Sequence, residues 1–91
     1  MSTTIHAGKK IVQTVTASDA STVPLGTLTA VAGGPAVTVA VDPATNNVTV
    51  TGVQPGNSAA VTYSAPGYQP TSETFSVVAL PTLVITDGPE V

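Results

Sequence analysis

The residues of this chain that could take part in acid–base or metal chemistry are one histidine and five carboxylates. His6 has no carboxylate near it in sequence that would orient its imidazole as a general base. Serine and threonine are abundant, yet no Gly-x-Ser-x-Gly turn presents a nucleophile. The acids stand singly, with no Asp-x-Asp spacing to gather oxygens around calcium: Asp19, Asp42, Glu73, Asp87 and Glu90. We therefore expect neither an enzyme nor a bound cofactor or metal ion.

The charge and the aromatic content argue against nucleic-acid and sugar ligands. The formal net charge is −3, and the only Lys or Arg residues, Lys9 and Lys10, are too few to neutralise a row of phosphates. Tyr63, Tyr68 and Phe75 are the whole aromatic set, which is too small for a platform on which sugars or unpaired bases stack. We expect protein partners.

The composition predicts that strands position these side chains. Charged residues make up 8% of the 91 residues and hydrophobic residues 42%, with β-branched Val and Thr prominent. A chain of this length fits one domain. It has no cysteine to supplement a small core with disulfides or a thiolate metal site, so we expect either self-association or docking on a partner to add stability. No apolar run is long enough to span a membrane or to form a signal peptide.

Alternation of apolar and polar residues predicts six or seven short strands. Turn-forming residues separate these strands at intervals of roughly 8 to 12 residues, which is typical of an antiparallel β-sandwich. Tyr63 and Phe75 fall on apolar faces and are expected in the core. The predicted strands cover residues 11–17, 27–32, 37–41, 48–51, 59–65 and 74–80, with a further short run at 83–86.

The clearest predicted hairpin joins two valine-rich strands through residues 42–47. Asp42 before Pro43 is ordinary turn chemistry, and Asn46 or Asn47 is expected to adopt the positive φ that closes the loop onto the next strand.

A second motif follows this hairpin. Gly52 lets the chain leave a strand, and Pro55-Gly56 sets a tight turn. These residues belong to a run, Val50-Thr51-Gly52-Val53-Gln54-Pro55-Gly56, that resembles the Val-Thr-Gly-Val-x-Pro-Gly motif of the bacterial immunoglobulin-like domains of group 2. The likeness covers residues 37–80, and residues 73–80 are similar to the closing strand of that family. The chain lacks the tryptophan that the family usually carries before its valine pair.

The resemblance implies an immunoglobulin-like β-sandwich without catalytic residues. Such domains serve as spacers and adhesive units in bacterial surface proteins and as appendages on phage capsids and tails. We expect a flexible N-terminal arm over residues 1–8, the sandwich over 9–80, and a short edge strand or C-terminal tail over 81–91.

Three residues are candidates for an interface. Tyr68, in the loop 66–70, is either an anchor at a protein interface or packed over the end of the sandwich. Lys9 and Lys10 either contact an acidic surface or protect a strand edge against pairing.

The absence of a signal segment after Met1 favours a phage virion component, a capsid decoration or tail appendage, over an exported protein. The alternative is an excised spacer or adhesion domain of a bacterial cell-surface protein.

Overall fold

A computed structural model describes residues 2–90 as an all-β chain with seven strands. No helix occurs in this range. The predicted hairpin strands and the two that follow them are present within two or three residues of the expected bounds. The strands are β1 (Ser2–His6), β2 (Lys10–Thr14), β3 (Thr29–Ala32), β4 (Val37–Asp42), β5 (Asn47–Gly52), β6 (Ser58–Ser64) and β7 (Thr71–Val78).

The strands form two sheets that pack as a β-sandwich. One sheet has four strands in the order β1-β7-β6-β3, and the other has three in the order β2-β5-β4. All pairings are antiparallel except β1 with β7, which run in the same direction. The predicted sandwich is therefore confirmed, and the expectation that every strand is antiparallel is wrong for β1.

The core lies between the inward faces of both sheets. On β5, Val48 and Val50 are completely buried because every second side chain points to the other sheet. Tyr63 on β6 and Phe75 on β7 are buried opposite them, which confirms their predicted place in the core. The remaining core residues are Ile5, Leu28, Ala36, Val37, Ala59, Val61 and Val77.

The N-terminal segment corrects a prediction. Residues 2–6, expected in a flexible arm, form β1 along the edge of β7, where Ile5 lies opposite Val77 and is 3% exposed. One apolar residue in a polar segment gives no periodic signal. Pairing with β7 supplies its backbone with hydrogen-bond partners, and Ile5 supplies the burial. Met1 of the predicted arm lies outside the described residues.

The chain passes from one sheet to the other between β1 and β2. Gly8 takes a positive φ of 78° there, and Ala7 forms a parallel bridge to Gly52 at the end of β5. The Ala7 N–H donates to Val78 O at 2.8 Å, and the Gly8 N–H donates to Gly52 O at 2.8 Å. This crossing links β5 and β7, which belong to different sheets.

Two of the predicted strands differ in the structure: one is shorter than expected and the other is absent. The first strand was expected to reach residue 17, but β2 ends at Thr14 because its partner β5 begins opposite that residue, at Asn47. The run at 83–86 forms no strand, and residues 79–90 are an exposed segment without regular structure. Of the two alternatives for 81–91, the structure has a tail over 81–90, and Val91 is outside the described residues. Within residues 2–90 there is no helix long and apolar enough to cross a membrane.

Candidate functional site

One end of the sandwich is organised around the side chain of Asn46. This residue is 5% exposed and has the positive φ, 59°, that the sequence predicts for Asn46 or Asn47. Its Nδ2 donates to Val23 O at 3.2 Å and to Pro24 O at 3.3 Å, and its Oδ1 accepts from the Gly26 N–H at 3.3 Å. The hairpin between β4 and β5 thereby holds the long loop between β2 and β3.

Asp42 and Pro43 shape this hairpin. The Asp42 carboxylate accepts from the Ala44 N–H at 3.0 Å, and the Asp42 carbonyl accepts from the Asn46 N–H at 2.8 Å. Asn47 then begins β5 opposite Asp42. The geometry agrees with turn formation by Asp42, since its carboxylate is used to order the backbone.

Tyr68 lies over the same end of the sandwich. Its ring is half-buried, and its hydroxyl is 3.0 Å from Ser21 Oγ and 3.3 Å from Thr22 O. Asp19 accepts from both the N–H and the hydroxyl of Ser21, and these hydrogen bonds hold the pKa of the Asp19 carboxyl below its ordinary value. Tyr68 therefore connects two loops, and its use as an interface anchor stays a prediction.

A polar chain joins the two sheets on the β1 and β2 side. Tyr63 Oη donates to Gln13 Oε1, and Gln13 Nε2 donates to Glu73 Oε1 at 3.4 Å. The Thr3 hydroxyl donates to Glu73 Oε2 at 2.6 Å. Burial raises the pKa of the Tyr63 hydroxyl, and the negative charge of Glu73 raises it further. Glu73 thus has a structural task between the sheets.

This polar chain is absent from the features predicted from the sequence. Its one signal was Gln13, a polar residue on the otherwise apolar face that holds Ile11 and Val15. A buried amide needs hydrogen-bond partners, so such a residue predicts a polar group on the facing sheet. It does not say which strand carries that group.

The remaining predicted positions are spread over the surface. Lys9 and Lys10 are exposed where β2 begins. Among the described residues, β2 is an edge strand of its three-stranded sheet. His6 is exposed at the end of β1. No three His, Cys, Asp or Glu residues among 2–90 lie close enough together to hold a metal ion.

The Pro55-Gly56 turn is a close match to its prediction. Gly56 has a φ of 85° at the third position of a turn in which the Asn57 N–H donates to Gln54 O at 3.4 Å. Proline at the second position and a positive φ at the third are typical of a type II turn. The Gly56 N–H also donates to Val77 O at 2.8 Å, so the turn is attached to β7.

Among residues 2–90, the most exposed large apolar side chains lie in the C-terminal segment. Leu83, Val84 and Ile85 are 94%, 89% and 84% exposed, and Leu80 is 52% exposed. No charged residue lies between Leu80 and Thr86. Contiguous exposed apolar residues of this kind are a property of interaction surfaces.

Comparison of this chain with protein-family models, curated proteins and solved structures finds no match.

Proposed function

We propose that this chain is a non-enzymatic structural module of a phage virion, a capsid decoration or tail appendage that acts through protein–protein contacts. The observation that carries the proposal is the C-terminal segment, in which Leu83, Val84 and Ile85 extend into solvent together within a stretch, residues 80–86, that has no charged residue. Covering these side chains with a protein partner removes apolar surface from water, which is the main driving force of association.

The strand order supports an immunoglobulin-like arrangement. The series β2-β5-β4 and β3-β6-β7 correspond to strands B-E-D and C-F-G of that sandwich, and the chain crosses between these two series after β2, after β3 and after β5. β1 then stands beside the last strand. The position of Gly52 at a close backbone contact agrees with the motif through which the sequence resembles the bacterial domains.

A spacer or adhesion domain of a bacterial surface protein is the second candidate. One observation favours it: β1 and β7 are parallel, so the chain enters the sandwich at one end and leaves it at the other. Modules joined in series need this arrangement. The molecule measures 70 × 22 × 20 Å, and residues 79–90 then act as the linker to the next module.

An antibody raised against the folded chain separates these functions. Virions purified on a density gradient and a cell-envelope fraction from the same source are probed in parallel, with detection by size under denaturing conditions. We expect the band in the virion fraction. A band in the envelope fraction at a much larger size would replace the virion proposal with the spacer, and a band in the soluble cell fraction alone would overturn both.

A further inference from the structure

We propose that residues 82–86 of one copy of this chain add as a strand to the free edge of β3 in a second copy. This inference rests on the proposed function in one respect: it takes the partner of the chain to be a protein. It adds that the partner is a second copy of the same chain and that the contact is made by strand addition. Donor and acceptor are both present in every copy.

The donor has the composition of a strand without a partner. Thr82, Val84, Ile85 and Thr86 are β-branched, and Leu83 is the only other residue in the segment. Residues 82–86 are exposed and have no regular structure. Pro81 before the segment and Asp87-Gly88-Pro89 after it are strand breakers, so they define five residues, the length of β1 and β2.

Among the four edges, β3 is best suited to accept it. In the described part of the chain the sheets end at β1, β3, β2 and β4. β2 begins with Lys10 and β4 ends with Asp42, and charge on an edge opposes pairing. On the β1 side the space between the sheets holds the polar chain of Glu73. β3 has the sequence Thr-Ala-Val-Ala, with no charge and no proline.

The backbone of β3 presents unused groups at this edge. The Gly33 N–H donates to Ala60 O at 2.8 Å, and hydrogen-bonded pairs alternate along an antiparallel ladder. Val31 therefore bonds to β6, while the N–H and C=O groups of Ala30 and Ala32 are directed away from it. They match the backbone of an added strand.

Apolar side chains stand on both faces beside this edge. Val31 is 63% exposed on the outer face. On the inner face, Ala30 and Ala32 of β3 and Val39 and Val41 of β4 are only partly buried against the core. Because Leu83 and Ile85 alternate with Val84, an added strand covers apolar surface on either face.

The reach of the tail favours a second copy. The position beyond β3 is three strand spacings from β7, about 14 Å at roughly 4.8 Å each. Residues 79–81 bridge about 13 Å when fully extended. β3 and β7 run in the same direction, so the tail of the same copy would also have to reverse, and no residue is left for that turn.

Cross-linking tests the contact, because the natural chain has no cysteine. Val84→Cys protein is mixed with Val31→Cys protein and treated with a short bismaleimide, and the mixed dimer is quantified by mass spectrometry. Val12→Cys, 65% exposed on β2, and Thr4→Cys on β1 are the matched acceptors. We expect at least a tenfold higher yield with Val31→Cys. Equal yields, or a higher yield with either control, would overturn the choice of β3.

Light scattering over a concentration series supplies the second test. We expect the unsubstituted chain to associate, and Val31→Lys and Val84→Pro each to lower the association constant at least tenfold. Val12→Lys should change it less than twofold, and circular dichroism verifies that all variants fold. A monomer at every concentration would overturn this inference while leaving the virion proposal to the particle assay, since a decoration protein can bind a capsid as a monomer.

Discussion

A Cβ atom on Gly52 would lie 2.7 Å from the carbonyl oxygen of His6. Real Cβ atoms do not approach a backbone oxygen this closely. The added Cβ would also lie 3.3 Å from Val77 Cγ1, so it could not move away from the oxygen toward that side chain. The glycine of the Val-Thr-Gly-Val motif is therefore required where the chain changes sheets.

Gly52→Ala should destabilise the fold because β1 must move away from β5 to make room. We expect a loss of about 1–3 kcal/mol, the usual range for overpacking, seen as a lower urea midpoint with an unchanged slope. Gly88→Ala is the control, since an added Cβ there has no neighbour within 4 Å. Equal midpoints for both variants would contradict the close contact.

Replacing Asn46 should release the long loop between β2 and β3. Asn46→Ala removes three hydrogen bonds of a buried amide and places at a φ of 59° a residue that adopts this conformation less readily than asparagine, so we expect a loss of about 2–4 kcal/mol. Asn46→Gly keeps the backbone conformation and should lose less. The free energy of unfolding of each variant is measured by chemical denaturation, with Asn47→Ala as the control. An equal loss for Asn47→Ala would show that the effect does not belong to position 46.

Truncating Ile5 tests whether the N-terminal strand belongs to the folded domain. Ile5→Ala removes a side chain that is 3% exposed and should lower the free energy of unfolding by about 2–5 kcal/mol. Thr4→Ala alters an exposed position of the same strand and should stay within about 0.5 kcal/mol of the unsubstituted chain. If Ile5→Ala were equally neutral, residues 2–6 would be the mobile arm that the sequence predicts.

The Tyr63 hydroxyl should make stability depend on pH in the alkaline range. Its pKa is raised above the ordinary value of 10.0, so the folded state holds the proton more tightly than the unfolded state. Its contribution is complete below about pH 10 and is lost as the pH rises through the raised pKa. Urea unfolding between about pH 8 and 12 should show this decline, and Tyr63→Phe should make it shallower. An identical pH dependence in both proteins would rule out this role.

The predictions that the structure confirms depend on short-range signals. Asp42-Pro43 and Asn46 specify the hairpin, and Pro55-Gly56 specifies the turn, because each residue type fixes a local dihedral angle or hydrogen bond. Alternation then assigned Tyr63 to the core.

The parts that the sequence did not reveal depend on contacts between distant residues. Parallel pairing of β1 with β7 joins Ser2 to Thr74, and a single apolar residue, Ile5, is too little for a periodic pattern. Gln13 likewise lies 50 positions in sequence from Tyr63, which donates a hydrogen bond to it, and 60 positions from Glu73, to which it donates one.

The parallel pairing of β1 and β7 has a mechanical consequence. A force applied between the two ends of the domain pulls these strands past each other along their length. The hydrogen bonds of the register from Ser2–Thr74 to His6–Val78 are then loaded together in shear, whereas pulling an antiparallel hairpin apart from its open end loads its bonds one after another. The arrangement of these two strands therefore resists extension between the two ends of the domain, a property that the proposed tail appendage would need under tension.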